Sequence, residues 1–292
     1  MNYVVTHTTT YRYSSPVSIC HNVLMLEPRR SPSLRCNVYQ LDIEPAPKIR
    51  ARREDMFGNF VHRFSLEENH SVLKIIAKSS VTVQGGAGPV TQSAPACEEI
   101  SHATTSQEDA NWLEVAPFLF DSPRIKRSAE FAEYAKPSVQ PDRPVFNAVL
   151  DLTQRIYTDF KYDKDATLVD TPTELAFDGR HGVCQDFAHV AVACLRSCSL
   201  PARYVSGYLR TVPAPGTKRL IGNDESHAWF SVYCGSEAGW IDFDPTNNCV
   251  CGTDHVPIAF GRDYSDVVPV KGIFLGGGKT TMNVSVDVAP TG

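Results

Sequence analysis

A thiol at Cys184, an imidazole at His227 and a carboxylate at Asp244 occur in this order along the chain, each inside a segment of regular pattern. A cysteine attacks as its thiolate, and a free thiol with a pKa of ~8.5 is only slightly ionised at neutral pH, so nucleophilic work needs a local device that favours the anion. Two such devices are legible. After Gly182, the residues Phe187, Val190, Ala191, Cys194, Leu195 and Cys198 recur at helical spacing, and Pro201 follows as a stop. Cys184 is therefore expected at a helix N-terminus, where unpaired backbone N–H groups and the macrodipole stabilise negative charge and could face a developing oxyanion. The second device is His227, on a segment that alternates as a strand: His227, Trp229, Ser231 and Tyr233 share one face, and Ala228, Phe230 and Val232 the other. Gly235-Ser236 reads as a two-residue hairpin turn. That register sets His227 opposite Asp244 and Trp229 opposite Asp242, within reach for a carboxylate to orient the imidazole. Asp242 lies on the same strand face two residues away and is the alternative acid.

Other residues near the cysteine have plainer readings. His189 is five positions along the helix, turned away from Cys184 by more than a third of a revolution, and reads as a packed or surface imidazole. His181 falls in the entry loop and could line a cleft. Tyr162 reads as core packing, with a substrate-pocket or oxyanion role as the alternative, and Trp229 and Trp240 as cleft walls or their support. Neither Cys194 with Cys198 nor Cys249 with Cys251 has the spacing of a zinc knuckle, so all four read as structural thiols and no metal site is expected.

These segments need elements to hold them. Up to about Val83 the pattern is all-β, in short alternating runs such as Tyr3/Val5/His7, Tyr39/Leu41/Ile43, Phe60/His62/Phe64/Leu66 and Leu73/Ile75/Ala77. Residues 84–107 are rich in Gly, Pro, Ser, Thr and Ala without a sustained period and read as a linker. Helices follow. Ile125, Ala129 and Ala132 precede a stop at Pro137, and a longer helix starting after Asp142 and Pro144 turns Val145, Val149, Leu152, Ile156 and Phe160 inward. Thr171-Pro172-Thr173-Glu174 reads as a capping box with proline at the first helical position. Met282, Val284, Val286 and Val288 alternate as a final strand after three glycines. The expected division is 1–83, a β-domain; 84–107, a linker; and 108–292, a helical and β unit that includes the C-terminal strands.

With 292 residues the chain can bury one large or two ordinary cores. A net charge of −5 without a basic stripe leaves nucleic-acid binding no electrostatic footprint. The start MNYVVTHTTTYRYSS has no basic n-region followed by an apolar h-region, and no stretch has spanning length. Nine cysteines without a framework fit a reducing compartment. A cytoplasmic protein, not acting at a membrane, is expected from these features; the oligomeric state is not legible.

Taken together, Gly182 to Cys184, Pro201 to Tyr208 (PARYVSGY), His227 to Trp229 and Gly239 to Thr246 (GWIDFDPT) resemble the signature of the transglutaminase-like superfamily. Tyr11-Arg12-Tyr13, Glu27-Pro28-Arg29 and Asp55-Met56-Phe57-Gly58-Asn59 are similar to the N-terminal β-domain that precedes the catalytic domain in many bacterial members. The resemblance implies an α+β protein, with a β-sandwich-like domain followed by a papain-like core. It also implies Cys184 as nucleophile, His227 as base and Asp244 as orienting acid, with no metal or organic cofactor. The implied chemistry is acyl transfer on peptide or protein amides through a thioester. Water as second nucleophile makes a cysteine peptidase or amidase, which is the expectation for a bacterial-type member; an amine makes a transglutaminase. A peptide-binding module that kept the fold is the non-catalytic alternative.

Overall fold

Tyr3, Val5, His7 and Thr9 are buried while their neighbours face outward, and this alternation opens β1 (Asn2–Leu24), the longest strand of the molecule. The structure is a computed structural model describing residues 1–85, 94–211 and 225–291, so part of the expected linker, 86–93, lies outside the described residues. After β1 come β2 (Leu34–Glu44), β3 (Ile49–Glu54), β4 (Phe60–Leu66) and β5 (His70–Val83). The middle of the chain supplies α1 (Cys97–Thr105), α2 (Trp112–Val115), α3 (Ala129–Ala135), α4 (Val145–Asp159), β6 (Lys161–Tyr162), α5 (Thr173–Gly179), β7 (His181–Gly182) and α6 (Cys184–Ser197). The remainder is β8 (Ala202–Leu209), β9 (Glu225–Tyr233), β10 (Trp240–Asp244), β11 (Cys249–Val250), β12 (His255–Gly261), β13 (Val270–Gly276) and β14 (Thr280–Thr291). The α+β class expected from the sequence is the one observed.

The strands form two principal sheets. In the first, of seven strands, the N-terminal half of β1 lies between β5 and β14, and its C-terminal half between β4 and β13. The pairing is irregular between Arg12 and Val17, where β1 passes from one set of partners to the other. A strand that switches partners at a bend lets the halves of one sheet face each other, which gives the sandwich-like arrangement. Tyr13, Val17, Leu24, Phe64, Leu73 and Ile75 fill the core between them. The second sheet has the order β11-β10-β9-β8-β12 and is antiparallel throughout. Val190, Ala191 and Cys194 of α6 pack with Phe230 and Val232 of β9 and with Val149 and Leu152 of α4 in the largest core of the molecule.

Two observations differ from the expected division. Cys97–Thr105, inside the stretch read as linker, is a helix whose Cys97, Ile100 and Thr104 are buried. The C-terminal strands do not belong with the helices: β14 pairs with β1 from Asn2↔Thr291 to Tyr13↔Thr280, so the two ends of the chain lie side by side. Such long-range pairing leaves no trace in local periodicity. One correction is smaller. Pro172 is the N-cap of α5 and Thr173 its first residue, while the Thr171 hydroxyl accepts from the Leu168 N–H instead of capping the helix.

A shared core joins the two sheets. Tyr3 and Val5 of β1, Val81 and Val83 of β5 and Val286 and Val288 of β14 pack against Tyr208 of β8 and Val256 and Ile258 of β12. Asn59 pins the junction. Its amide accepts from the Phe260 N–H at 3.0 Å and donates to the Phe260 carbonyl at 2.8 Å, while Asp55 accepts from both its backbone and its side-chain nitrogen. Arg29 donates to the Asn59 side chain and lies 3.4 Å above the Phe260 ring. The short motifs of the first segment thus divide their work: Glu27 holds Arg52 and His62 at 2.6–2.7 Å within the first sheet, and Arg29 and Asn59 clasp β12 of the second.

Candidate active site

Cys184 is the first residue of α6, as its spacing predicts, and Val183 is the N-cap. Asp186 closes the first turn, accepting from the Val183 N–H at 2.8 Å and from the Thr167 hydroxyl at 2.6 Å. Gly182 has φ +153°, and a Cβ there would collide with the Asp186 carboxylate, which accounts for glycine two residues before the cysteine. At the other end of α6, the fully buried Arg196 donates to the carbonyls of Ala202, Phe120 and Arg262. Both ends of the helix are fixed.

His227 Nε2 lies 2.7 Å from Asp244 Oδ2, which leaves Nδ1 as the ring nitrogen available to the Cys184 thiol, and both residues line one cavity. The pairing comes about through a register other than the expected one. Trp240 pairs with Tyr233 and Phe243 with Phe230, so Asp242 faces Ser231 and the same register continued by one residue sets Asp244 opposite Trp229. The turn is longer than Gly235-Ser236: it runs from Gly235 (φ +93°) to Gly239 (φ +64°), closed by the Cys234 N–H on the Gly239 carbonyl at 2.8 Å. Two extra residues displace the register by two. Since strand side chains alternate with period two, His227 and Asp244 keep the same face and meet diagonally rather than directly.

The two carboxylates of β10 do different work. Asp242 accepts from Trp229 Nε1 at 3.0 Å and from the Ser231 hydroxyl at 2.5 Å, and so braces β9 beneath His227. Asp244 is fully buried and takes five donors: the N–H groups of Thr246 and Asn247 on Oδ1, and His227, His255 and Asn247 side chains on Oδ2. Burial alone would raise its pKa, but the hydrogen bonds from His227, His255 and Asn247 overcome this and hold Asp244 well below the usual carboxylate range. Burial would likewise lower His227; its hydrogen bonds to Asp244 and Cys184 reverse the direction and carry it to about 10. An anionic Asp244 beside a protonated imidazole is the state this geometry favours.

His255 and Asn247 were not singled out by sequence reasoning. His255 stands at the start of β12, with Nε2 3.1 Å from Asp244 Oδ2, and no periodic or motif signal marks it. Asn247 follows the Asp-Pro-Thr turn and donates to Asp244 at 2.6 Å. Among the described residues, His227, Asp244 and His255 are the one group that brings three ligand atoms within 4.8 Å of one another. Ligand atoms on a tetrahedral zinc ion lie about 3.3 Å apart. The 2.7 Å separation of His227 and Asp244 is instead that of a charge-assisted hydrogen bond.

The remaining residues take supporting places. His189 is buried in α6, where its Nε2 accepts from the Tyr264 N–H, and burial pushes its pKa down. His181 and Tyr162 sit on the short β7–β6 pair, with Tyr162 edge-on to Phe187 at 6.3 Å. Trp229 is fully buried 6.0 Å from His227, and Trp240 packs on Phe118. Gly207 pairs with His227, and a Cβ there would meet the Trp229 ring, so the glycine of the PARYVSGY strand makes room for that indole.

Residues 132–245 match the transglutaminase-like superfamily, and residues 3–82 the bacterial transglutaminase-like N-terminal region. Proteins of Mycobacterium bovis and Mycobacterium tuberculosis are 39% identical over 292 residues, covering 99% of this chain and 92% of theirs. The chain belongs to the transglutaminase-like superfamily. A Mycobacterium leprae protein is 31% identical over 288 residues, covering 97% of each chain. Among solved structures, a candidate cysteine protease from Cytophaga hutchinsonii superposes with a TM-score of 0.77 at 25% identity, covering all of this chain and 92% of its own. Members of this superfamily carry thiol-dependent chemistry, which fits a cysteine at a helix start beside an imidazole. Among the described residues no helix is long and apolar enough to cross a membrane.

Proposed function

We propose that this protein hydrolyses amide bonds of peptides or proteins, with Cys184 as nucleophile, His227 as general base and acid, and Asp244 as the carboxylate that orients and stabilises the imidazolium. The Cys184 sulfur attacks the carbonyl carbon while N–H groups of the first turn of α6 stabilise the oxyanion. His227 gives its proton to the leaving nitrogen, the C–N bond breaks and a thioester remains. His227 then takes a proton from water, the hydroxyl adds to the thioester carbonyl, the C–S bond breaks, the acid departs, and the Cys184 thiolate is restored beside the His227 imidazolium.

The observation that carries this reading is the buried 2.7 Å contact of His227 with Asp244, with His227 and the helix-start Cys184 lining the same cavity. Burial pushes up the thiols of the other eight cysteines, among them Cys198 and Cys249 to about 11 and Cys97 and Cys234 to about 12, which leaves them poor nucleophiles. The similarity to a candidate cysteine protease supports hydrolysis over amine transfer. A peptide-amide library containing glutamine peptides, incubated with a fluorescent primary amine, separates the readings. Free acid is the expected product. Incorporated amine would establish a transglutaminase instead, and a protein that bound peptides without forming either product would be a binding module.

A further inference from the structure

We propose that the cavity beside Cys184 is an acyl-group pocket, walled by the first and last strands of the chain, that selects an uncharged aliphatic or aromatic side chain on the residue whose carbonyl is attacked. This rests on the reading of Cys184 as nucleophile.

The cavity has a volume of about 280 Å³ and borders both Cys184 and His227. An acyl group held as a thioester must occupy the space next to the sulfur, and this space is that of roughly nine waters, enough for one large side chain. Pro269, Val270, Met282, Val284, Tyr11 and Tyr264 contribute apolar wall, and no Asp, Glu, Lys or Arg is among the described residues that line it. A charged side chain entering it would lose hydration and find, among the described residues, no counter-charge on the walls away from His227 and Cys184. Apart from His227 and Cys184 themselves, the polar groups that line it are neutral. His7 accepts or donates to the Tyr208 hydroxyl at 3.0 Å and to the Thr9 hydroxyl at 2.9 Å, and burial pushes its pKa down to about 4.

A second observation comes from β14. Its residues 282, 284, 286 and 288 share one face. Val286 and Val288 are sealed into the core between the sheets, but on reaching the cavity the same stripe is uncovered: Val284 is 43% and Met282 61% exposed. Thr9 and Tyr11 of β1, paired with Val284 and Met282, complete this wall. An apolar acyl side chain would cover the part of the stripe that the fold leaves open.

The test uses the full chain and four reagents that differ in one side chain: the N-acetyl chloromethyl ketones of leucine, phenylalanine, aspartate and lysine. Site-resolved alkylation of Cys184 is followed by peptide mass analysis, with each rate divided by the iodoacetamide rate of the same protein. The leucine and phenylalanine reagents should react at least about tenfold faster than the charged pair, the discrimination expected of a modest apolar pocket. In Val284→Lys the preference for leucine over aspartate should fall by about tenfold or invert. Equal rates for all four reagents, or a preference unchanged in Val284→Lys, would overturn the pocket while leaving the nucleophile in place. Iodoacetamide that fails to single out Cys184 would overturn the functional reading itself.

Discussion

The five-stranded sheet and α6 hold Cys184, His227 and Asp244, whereas the seven-stranded sheet holds none of them and supplies one wall of the space they face. The candidate catalytic residues lie on elements close in sequence, between residues 184 and 244, while the cavity is completed by β1 and β14, which pair across the chain. On the proposed reading, reactivity and selectivity are separable in this fold: the former would be set by one helix terminus and one strand pair, the latter by a sheet in which β14 pairs with β1.

The strongest test of that division compares the two carboxylates of β10. Asp244→Asn removes the anion that stabilises the imidazolium and should lower turnover by on the order of 10⁴-fold, the scale known for serine-type triads. Asp242→Asn perturbs only the support of Trp229 and Ser231 and should cost much less. Steady-state kinetics on any substrate found would reverse the assignment if Asp242→Asn proved the more damaging. The next effect crosses from one sheet to the other. Asn59→Ala deletes two hydrogen bonds to the Phe260 backbone and leaves buried groups unpaired, so it should destabilise the protein by about 2–4 kcal/mol. All three tryptophans, at 112, 229 and 240, lie outside the seven-stranded sheet. A lowered midpoint followed by tryptophan fluorescence is expected, and an unmoved one would show that the halves unfold separately.

Smaller effects sharpen the site itself. His255→Gln removes one of the donors on Asp244 Oδ2 and should reduce kcat by about tenfold, consistent with losing one hydrogen bond to a charged group, with KM little changed. A change confined to KM would make His255 a substrate contact. The His227–Asp244 pair should also make stability depend on pH. With His227 raised from 6.5 to about 10 on folding, its contribution is complete below pH 6.5 and is lost as pH rises toward 10. The stability difference between wild type and His227→Ala, from urea unfolding, should therefore shrink over that window; a difference that grew with pH would mean that the imidazole is buried neutral.

Much of the site was legible because it depends on local rules. The helix start at Cys184 follows from apolar spacing after a glycine, and the shared face of His227 and Asp244 survives a turn two residues longer than expected because strand parity is unchanged by an even shift. The turn length itself was misread. Gly235-Ser236 satisfies a tight turn locally, but the pair of positive-φ glycines at 235 and 239 makes the wider one. His255 reaches Asp244 from β12, across β8 and β9 in the sheet, and β14 reaches β1 across the whole chain. Neither contact has a periodic signature, so the β1–β14 cavity wall was hidden while the helix start at Cys184 was not. The motifs at Glu27–Arg29 and Asp55–Asn59 were noticed as a resemblance, and only the structure gives them a physical task, the clasp on Phe260.

Site-resolved iodoacetamide kinetics at about pH 6 test the central claim most directly, because the thiolate is the species alkylated and the other eight thiols are pushed up by burial. Cys184 should be modified fastest, and its advantage should disappear in His227→Ala. Labelling of Cys184 at the rate of the similarly half-buried Cys198 or Cys249, or a rate indifferent to His227, would contradict the assignment of Cys184 and His227 as a reactive pair.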